Sequence, residues 1–391
     1  RYIYKDKVTK TEAVVTYRDM LDHVNYISSG LTALGLTEPT CVVSGESHPD
    51  YAAAYIATVS AGGVIVPLDK DISAEQFAGF IKLCETKVVF YTSSIHHKVV
   101  EVKDELPDVR YFICFDYAGD DFPQDEKFMR FADFFEIGKK AYEGGDRTAE
   151  NHEVDLDKTC AILFTSGTTG TSKGVMLSQR NLVTATLDSC AIMGCRYVSV
   201  LPFHHAYEFT CAQLALPNTG ATTVINDSIK NTMRNFAKYQ PTALVLVPLY
   251  VETMYKRIWA EIAKKGKTKT VKTAIKISNA LRKIGIDRRR KLFKDILDAF
   301  GGRLQYIVCG GAPLRSELID DFDAFGIKIC EGYGITECSP LVAANPMHWR
   351  KHHSCGMRVP HMEVRIDKAS PEDETGEIVT RGDAVMKGYY K

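Results

Sequence analysis

The sequence carries no excess of charge of either sign: 49 Lys and Arg balance 49 Asp and Glu over 391 residues. No whole-molecule field therefore marks nucleic acid as a partner. No apolar run is long enough to span a bilayer. The opening residues, RYIYKDKVTK, lack the apolar stretch of a signal peptide. No C-x-x-C pair occurs among the 11 cysteines, and their number is odd. Several sit in apolar runs such as Tyr111-Phe112-Ile113-Cys114-Phe115. That pattern suits reduced core thiols of a cytosolic protein, and neither a disulfide framework nor a zinc site. The first residue is Arg1, so further residues are expected before it.

What is present is ordinary globular material, 45% apolar and 25% charged. At roughly 150 residues per domain, the length suggests about two to three structural units. Helix and strand patterns alternate from the start. Thr16 followed by Asp19 predicts a helix cap, apolar residues recur at Met20, Leu21, Val24, Ile27, Leu31 and Leu34, and Gly35 ends the pattern. Strand candidates at 41–43, 64–66 and 88–91 are separated by an Ala-rich helix near 49–61 and a helix from about Ser73. The rhythm continues to about residue 330. It predicts an α/β fold of two helix-covered, mainly parallel sheets. Near residue 354 the texture changes. Residues 362–366 and 377–381 alternate in polarity around a polar turn at 371–376, which predicts a small antiparallel β unit. The expected division is thus 1–353 and 354–391, and the chain stops abruptly after a strand-like segment at Lys391.

From Lys256 to Lys294 there are 15 Lys or Arg and only two acids, Glu261 and Asp287. Val271, Ile275, Ser278, Leu281 and Ile284 fall on one helical face. The first reading is a solvated helical pair with an apolar underside. The second is a surface for anionic lipid or a phosphorylated cofactor.

Three glycine-containing loops each follow an apolar strand candidate. One follows Phe164 and runs from Thr165 through Ser166, Gly167, Thr168, Thr169, Gly170, Thr171 and Ser172 to Lys173 and Gly174. The second, Gly310-Gly311-Ala312-Pro313, follows Cys309, and the third, Glu331-Gly332-Tyr333-Gly334-Ile335-Thr336-Glu337, follows Cys330. Ligands of α/β sheets sit outside the carboxyl ends of strands, so the three loops can share one site. The first loop has the ingredients of a polyphosphate cradle: glycines for close approach, hydroxyls as donors and one lysine. Its spacing is neither a Walker A loop nor a dinucleotide fingerprint.

Thr165 to Gly174 closely resembles the signature loop of the adenylate-forming superfamily, which includes acyl-CoA synthetases, adenylation domains and luciferases. Gly332 to Glu337, Gly376-Glu377-Ile378, Arg381-Gly382 and Gly388-Tyr389-Tyr390 agree in order, as do Thr16-Tyr17-Arg18 and Ala61 to Leu68 near the start. Within the superfamily the long-chain fatty acid CoA ligases are most similar, through Leu201-Pro202-Phe203-His204-His205-Ala206-Tyr207-Glu208. Amino-acid activators usually carry an Asp there, and none lies between Pro202 and Phe209. Phe164 and Ser172 depart from the Tyr and Pro of many relatives.

The resemblance implies an acyl-CoA-synthetase-like N-terminal domain. It implies ATP-dependent activation of a carboxylic acid, a medium- or long-chain fatty acid, to an acyl-adenylate and then to a coenzyme A thioester. It puts residues 165–173 on the β- and γ-phosphates and Thr336 on the α-phosphate. Glu337 would hold Mg²⁺. Tyr333 would stack on adenine beside Glu331, Gly332 and Gly334, with Gly310, Gly311, Ala312 and Pro313 on the other face. His205 would line the acyl and nucleotide sites. Lys173, Thr336, Glu337 and His205 are the expected catalytic set, and ATP, Mg²⁺ and coenzyme A the expected cofactors. The family's ribose-binding aspartate, hinge, catalytic lysine and lid domain are expected beyond Lys391, and Asp383 is not that aspartate. Transfer to an acyl carrier protein and a nucleotide-binding regulator without catalysis are the alternatives. A cytoplasmic location is expected, and the sequence allows both a homodimer and a peripheral contact with anionic membrane through residues 256–294. His96-His97 and His352-His353 have no matching ligand cluster in the sequence and are read as surface residues.

Overall fold

The computed structural model describes residues 1–166, 172–190 and 196–391. Gly167, Thr168, Thr169, Gly170 and Thr171 of the expected phosphate loop, and Cys195, lie outside them.

The first helix, Tyr17–Ala33, begins where the sequence predicts. Thr16 Oγ1 accepts from the Asp19 amide at 3.2 Å, and Asp19 Oδ2 accepts from the Thr16 amide at 2.8 Å. Two otherwise orphaned donors are satisfied reciprocally. Ser73 and Gln76 repeat the device at helix Ala74–Leu83. The buried face of the first helix, with Ile27 and Leu31, joins a core that includes Phe90 and Phe134. Each such side chain contributes about 1.5–3 kcal/mol on burial. Helix Phe131–Glu143 crosses the first helix very closely, because a Cβ on Gly138 would lie 1.9 Å from the Tyr26 carbonyl oxygen.

Among the described residues there are two large sheets. In the first, strands Thr40–Ser44, Val64–Leu68, Val88–Tyr91, Tyr111–Cys114, Phe128–Arg130 and Thr159–Ser166 run parallel. Strand Ser172–Ser178 pairs antiparallel with Thr159–Ser166, and Gly388–Tyr390 pairs antiparallel with Ser172–Ser178. In the second, Thr222–Ile225, Arg196–Ser199, Ala243–Leu246, Tyr306–Cys309 and Lys328–Gly334 run parallel. Tyr2–Lys5 and Glu12–Val15 close one edge, and Leu341–Ala344 and Met357–Arg358 the other. A separate antiparallel pair, Met362–Asp367 with Glu377–Gly382, is the small β unit expected near the end. Strand-helix alternation with parallel pairing agrees with the α/β reading.

Three local expectations need correction. The strand expected to end at Phe164 runs on to Ser166, and the one expected to end at Cys330 runs on to Gly334. Each gains an antiparallel neighbour that satisfies its backbone, so glycine and polar residues are carried into a ladder. In the basic segment, helix Thr268–Lys283 stops before Ile284, which is 70% exposed and not part of the buried face. Interval 354–391 also supplies strands to all three sheets. The cysteines of the described residues are free, and most are buried. No helix among the described residues is long and apolar enough to cross a membrane.

Candidate functional site

Thr159–Ser166 and Ser172–Ser178 form a hairpin with Thr165 opposite Lys173. The pairing presents Lys173 on an exposed strand end, and Gly174 and Val175 behind it are buried. Phe164, the departure from the family pattern, stacks on Phe80 with ring centroids 4.1 Å apart. It therefore braces the hairpin against helix Ala74–Leu83.

The second sheet brings the other two segments together. Cys309 and Glu331 are register partners, so residues 310–313 leave their strand beside Gly332. A Cβ on Gly310 would lie 3.3 Å from the Gly332 carbonyl oxygen and 3.4 Å from Tyr207 Cζ. The Tyr207 hydroxyl donates to the Val308 carbonyl at 3.2 Å. Tyr207 and Tyr333 pack on one apolar cluster. Gly311, Ala312 and Pro313 are exposed. Burial raises the Glu331 carboxyl above its usual value. Gly334 is required by close approach: a Cβ there would sit 2.1 Å from the Pro340 carbonyl oxygen. The chain then turns through the short 3₁₀ segment Thr336–Cys338, leaving Thr336 and Glu337 half-buried.

The sheets meet at this turn. The Met386 amide donates to the Glu337 carbonyl at 2.8 Å, and the Lys387 amide to the Met176 carbonyl at 2.9 Å. A residue absent from the expected set joins them. Tyr389 donates to Glu337 Oε1 at 2.9 Å, and its ring centroid lies 5.1 Å from Lys173 Nζ. Lys173, of the first sheet, and Glu337, at the end of the second, thus reach one side chain. The Gly388-Tyr389-Tyr390 motif was visible in the sequence, but nothing local to it shows a partner 52 residues upstream.

The histidine motif holds two rings in unlike surroundings. His205 is exposed and precedes the turn Ala206–Glu208. Its neighbour His204 is the more enclosed, with Nε2 3.7 Å from Asp69 Oδ2 and without a hydrogen-bond partner. The two rings lie 4.0 Å apart. Burial, then the charge of His205, lowers the His204 pKa to about 4, so the ring is neutral near pH 7. Desolvation also lowers that of His205. His204 borders a cavity of about 600 Å³ at the strand ends between the sheets, whose walls include Lys7, Glu46, Asp69, Lys70 and Asp116. Apolar side chains, among them Val200, Leu201 and Ile225, share that wall with the charged ones.

Of the other histidine pairs, His352-His353 keep the expected surface position but gain a carboxylate partner, and His96 is half-buried beside an exposed His97. His96 accepts or donates a 2.9 Å hydrogen bond with the Tyr91 hydroxyl and sits among aromatic rings. Its place is set by packing. His352 Nδ1 and His353 Nε2 lie 3.3 and 3.5 Å from Asp320 Oδ1, a carboxylate supplied by helix Ser316–Phe325. The sequence hid this partner because it comes from a separate element. All three residues lie at the surface.

Two helix-covered sheets meet where the lysine-bearing hairpin of one approaches the glutamate turn that ends the other. The chain belongs to the AMP-binding enzyme family, which matches residues 2–390. It is 26% identical over 410 residues to a long-chain-fatty-acid–CoA ligase of Mycobacterium bovis, covering 100% of this chain and 66% of that protein. It is 30% identical over 301 residues to a chloroplastic long-chain-fatty-acid–[acyl-carrier-protein] ligase of Arabidopsis thaliana, covering 63% of this chain and 40% of that protein. The fold is similar to that of an anthranilate CoA ligase in complex with anthranoyl-AMP, at a TM-score of 0.74 and 16% identity over 100% of this chain and 67% of that one. The chain thus spans two thirds or less of the two curated relatives' lengths.

Proposed function

We propose that the protein activates a carboxylic acid, a medium- or long-chain fatty acid, with ATP, and passes the acyl group to coenzyme A. In the first step a carboxylate oxygen attacks the α-phosphorus. An acyl-adenylate forms and pyrophosphate leaves. In the second a thiol attacks the acyl carbon and AMP leaves. The observation that carries this reading is the convergence of Lys173 and Glu337 at the junction of the two sheets.

Negative charge grows on the phosphate oxygens in the first step, so preorganised donors there act on the barrier directly. Lys173 is the mobile cation for the outer phosphates, with the hydroxyl of Thr165 beside it in register. Thr336 serves the α-phosphate. Tyr333 gives the adenine a face and Gly310 to Pro313 a second wall. Glu337 suits Mg²⁺, because one carboxylate oxygen accepts from Tyr389 and the other has no hydrogen-bond partner among the described residues. Bound there, the ion would offset phosphate charge. His205, at the exposed end of its motif, lines the approach for the acid.

Acid-dependent pyrophosphate exchange over a panel of carboxylic acids tests this in the full protein. The wild type should exchange with aliphatic acids. Glu337→Ala should slow exchange by about a hundred- to a thousandfold while the fold survives. Unchanged exchange in that variant would remove Glu337 from the metal site. Offering coenzyme A and acyl carrier protein separately decides the acceptor, a second reading favoured by the Arabidopsis relative's name.

The basic segment supports a further part of the proposal, a peripheral contact with anionic membrane. A groove of about 630 Å³ there has Met254, Ile258 and Val271 in its walls and Arg257, Lys265 and Lys294 beside them. Glu261 and Asp295 share the wall, and the surplus of cations over acids around the apolar surface suits a layer of anionic lipid. Co-sedimentation with liposomes should rise with anionic lipid content and fall with salt; insensitivity to both would sink the contact.

A further inference from the structure

Tyr389 is placed with more care than an exposed tyrosine needs. Its strand is held in register with the phosphate hairpin, Gly388 opposite Met176, Tyr389 opposite Val175 and Tyr390 opposite Gly174. The segment leading into it is pinned three times. Asn181 Nδ2 donates to the carbonyls of Asp383 and Val385 at 2.7 and 2.9 Å, and the Ser339 hydroxyl donates to that of Ala384 at 2.9 Å. Asn181 follows the hairpin of the first sheet, and Ser339 follows Glu337. Both halves of the molecule therefore fix where Tyr389 stands.

The neighbouring tyrosine shows what packing alone would look like. Tyr390 lies against the core of the first sheet. Tyr389 remains 46% exposed and spends its polar atom on Glu337 and its ring on Lys173. The hydroxyl donates, so it restrains the carboxylate without neutralising it. A ring face holds an exposed ammonium only weakly, so an anionic ligand can draw Lys173 away.

We propose that Tyr389 is a positioning residue for the triphosphate site, its hydroxyl aiming the Glu337 carboxylate and its ring keeping Lys173 at the hairpin end. The inference rests on the MgATP reading above. It assigns to the last strand a task at the nucleotide that neither side chain it touches performs alone.

Two variants separate the parts. Tyr389→Phe keeps the ring and removes the hydroxyl, and Tyr389→Leu removes both. Calorimetric titration of ATP into the full protein, repeated over a series of Mg²⁺ concentrations, gives a readout independent of turnover. Tyr389→Phe should raise the Mg²⁺ needed for half-maximal ATP binding about five- to tenfold, while affinity at saturating Mg²⁺ stays within about twofold. Tyr389→Leu should show the same Mg²⁺ shift and, in addition, weaker ATP binding at saturating Mg²⁺. A tyrosine of purely structural value would lower the melting temperature and leave the Mg²⁺ dependence unmoved, which would overturn the proposal. Wild-type Mg²⁺ dependence in both variants overturns it as well, with the nucleotide reading intact. A wild-type protein that binds no MgATP overturns both.

Discussion

Two buried carboxylates of the second half are held in opposite ways. Asp323, beneath the basic segment, faces three guanidinium groups. Arg282 Nη1 lies 2.7 Å and Arg289 Nη1 3.3 Å from its Oδ2, and Arg350 Nη2 pairs with its Oδ1. Glu208, behind the histidine turn, is fully buried and meets neutral donors. The hydroxyls of Tyr197 and Ser199 each donate to it at 2.6 Å, and Gln213 Nε2 at 2.7 Å. Burial pushes both carboxyls upward. At Asp323 the Arg350 hydrogen bond and the three positive charges win, and the pKa falls below 3.8. At Glu208 the neutral donors do not win, and the pKa rises to about 7. Hydrogen bonds without charge do not replace the lost solvation of an anion. The contrast also divides the roles of charge. Asp323 ties Arg282 and Arg289 of the basic stretch, and Arg350 beyond it, to helix Ser316–Phe325, so part of that stretch is structural rather than free for a ligand.

The sharpest way to break this comparison is Asp323→Asn. It leaves three arginines facing a neutral amide, so unfolding free energy should drop by about 3–5 kcal/mol near pH 7, the scale of a broken buried pair. The pH signature follows from a depressed folded pKa. The stabilisation is present above the unfolded value of 3.8 and is lost as pH falls through the lower folded value. The gap between wild type and variant, followed by urea unfolding, should therefore narrow on acidification below about pH 4. A gap constant from neutral to acid pH would mean that the arginines do not act through the carboxylate charge.

Much of the frame was legible because it is local. The Thr16–Asp19 cap, the Ala-rich helix and the alternating pair around 371–376 each carry their signal within a few residues, and each formed as read. What was not legible is non-local. The pairing of Tyr2–Lys5 with Thr222–Ile225, or of Gly388–Tyr390 with Ser172–Ser178, depends on elements about two hundred residues apart. Period-two patterning names the face of a strand and not its neighbour. The candidate site divides along the same line. Its glycine, threonine and glutamate segments stood out by composition and family resemblance. That the first belongs to one sheet and the others to the second, and that Tyr389 joins them, required the topology. The Asp320 partner of His352 and His353 was missed for the same reason.

Glu208 gives the smaller and more instructive test, because its sign is reversed. A folded pKa of about 7 against 4.5 when unfolded means that the folded protein holds the proton more tightly. Its contribution is fully present below 4.5 and is lost as pH rises towards about 7. The isosteric Glu208→Gln keeps a hydrogen-bonding side chain of the same shape without a titration. Wild type should therefore lose about 2–3 kcal/mol relative to this variant between about pH 4.5 and 7.5, the direction opposite to Asp323→Asn. Equal slopes for wild type and Glu208→Gln would show that the site is wetter than its burial implies. The consequence reaches the histidine motif. Tyr197 and Ser199 belong to the strand, and Glu208 directly follows Tyr207, whose ring abuts Gly310 and whose hydroxyl reaches Val308. Ionisation of Glu208 near neutral pH would place a charge against the Tyr197 and Ser199 hydroxyls of that strand, one residue from Tyr207. At Asp323, by contrast, the carboxylate stays charged throughout the neutral range, held by three arginines.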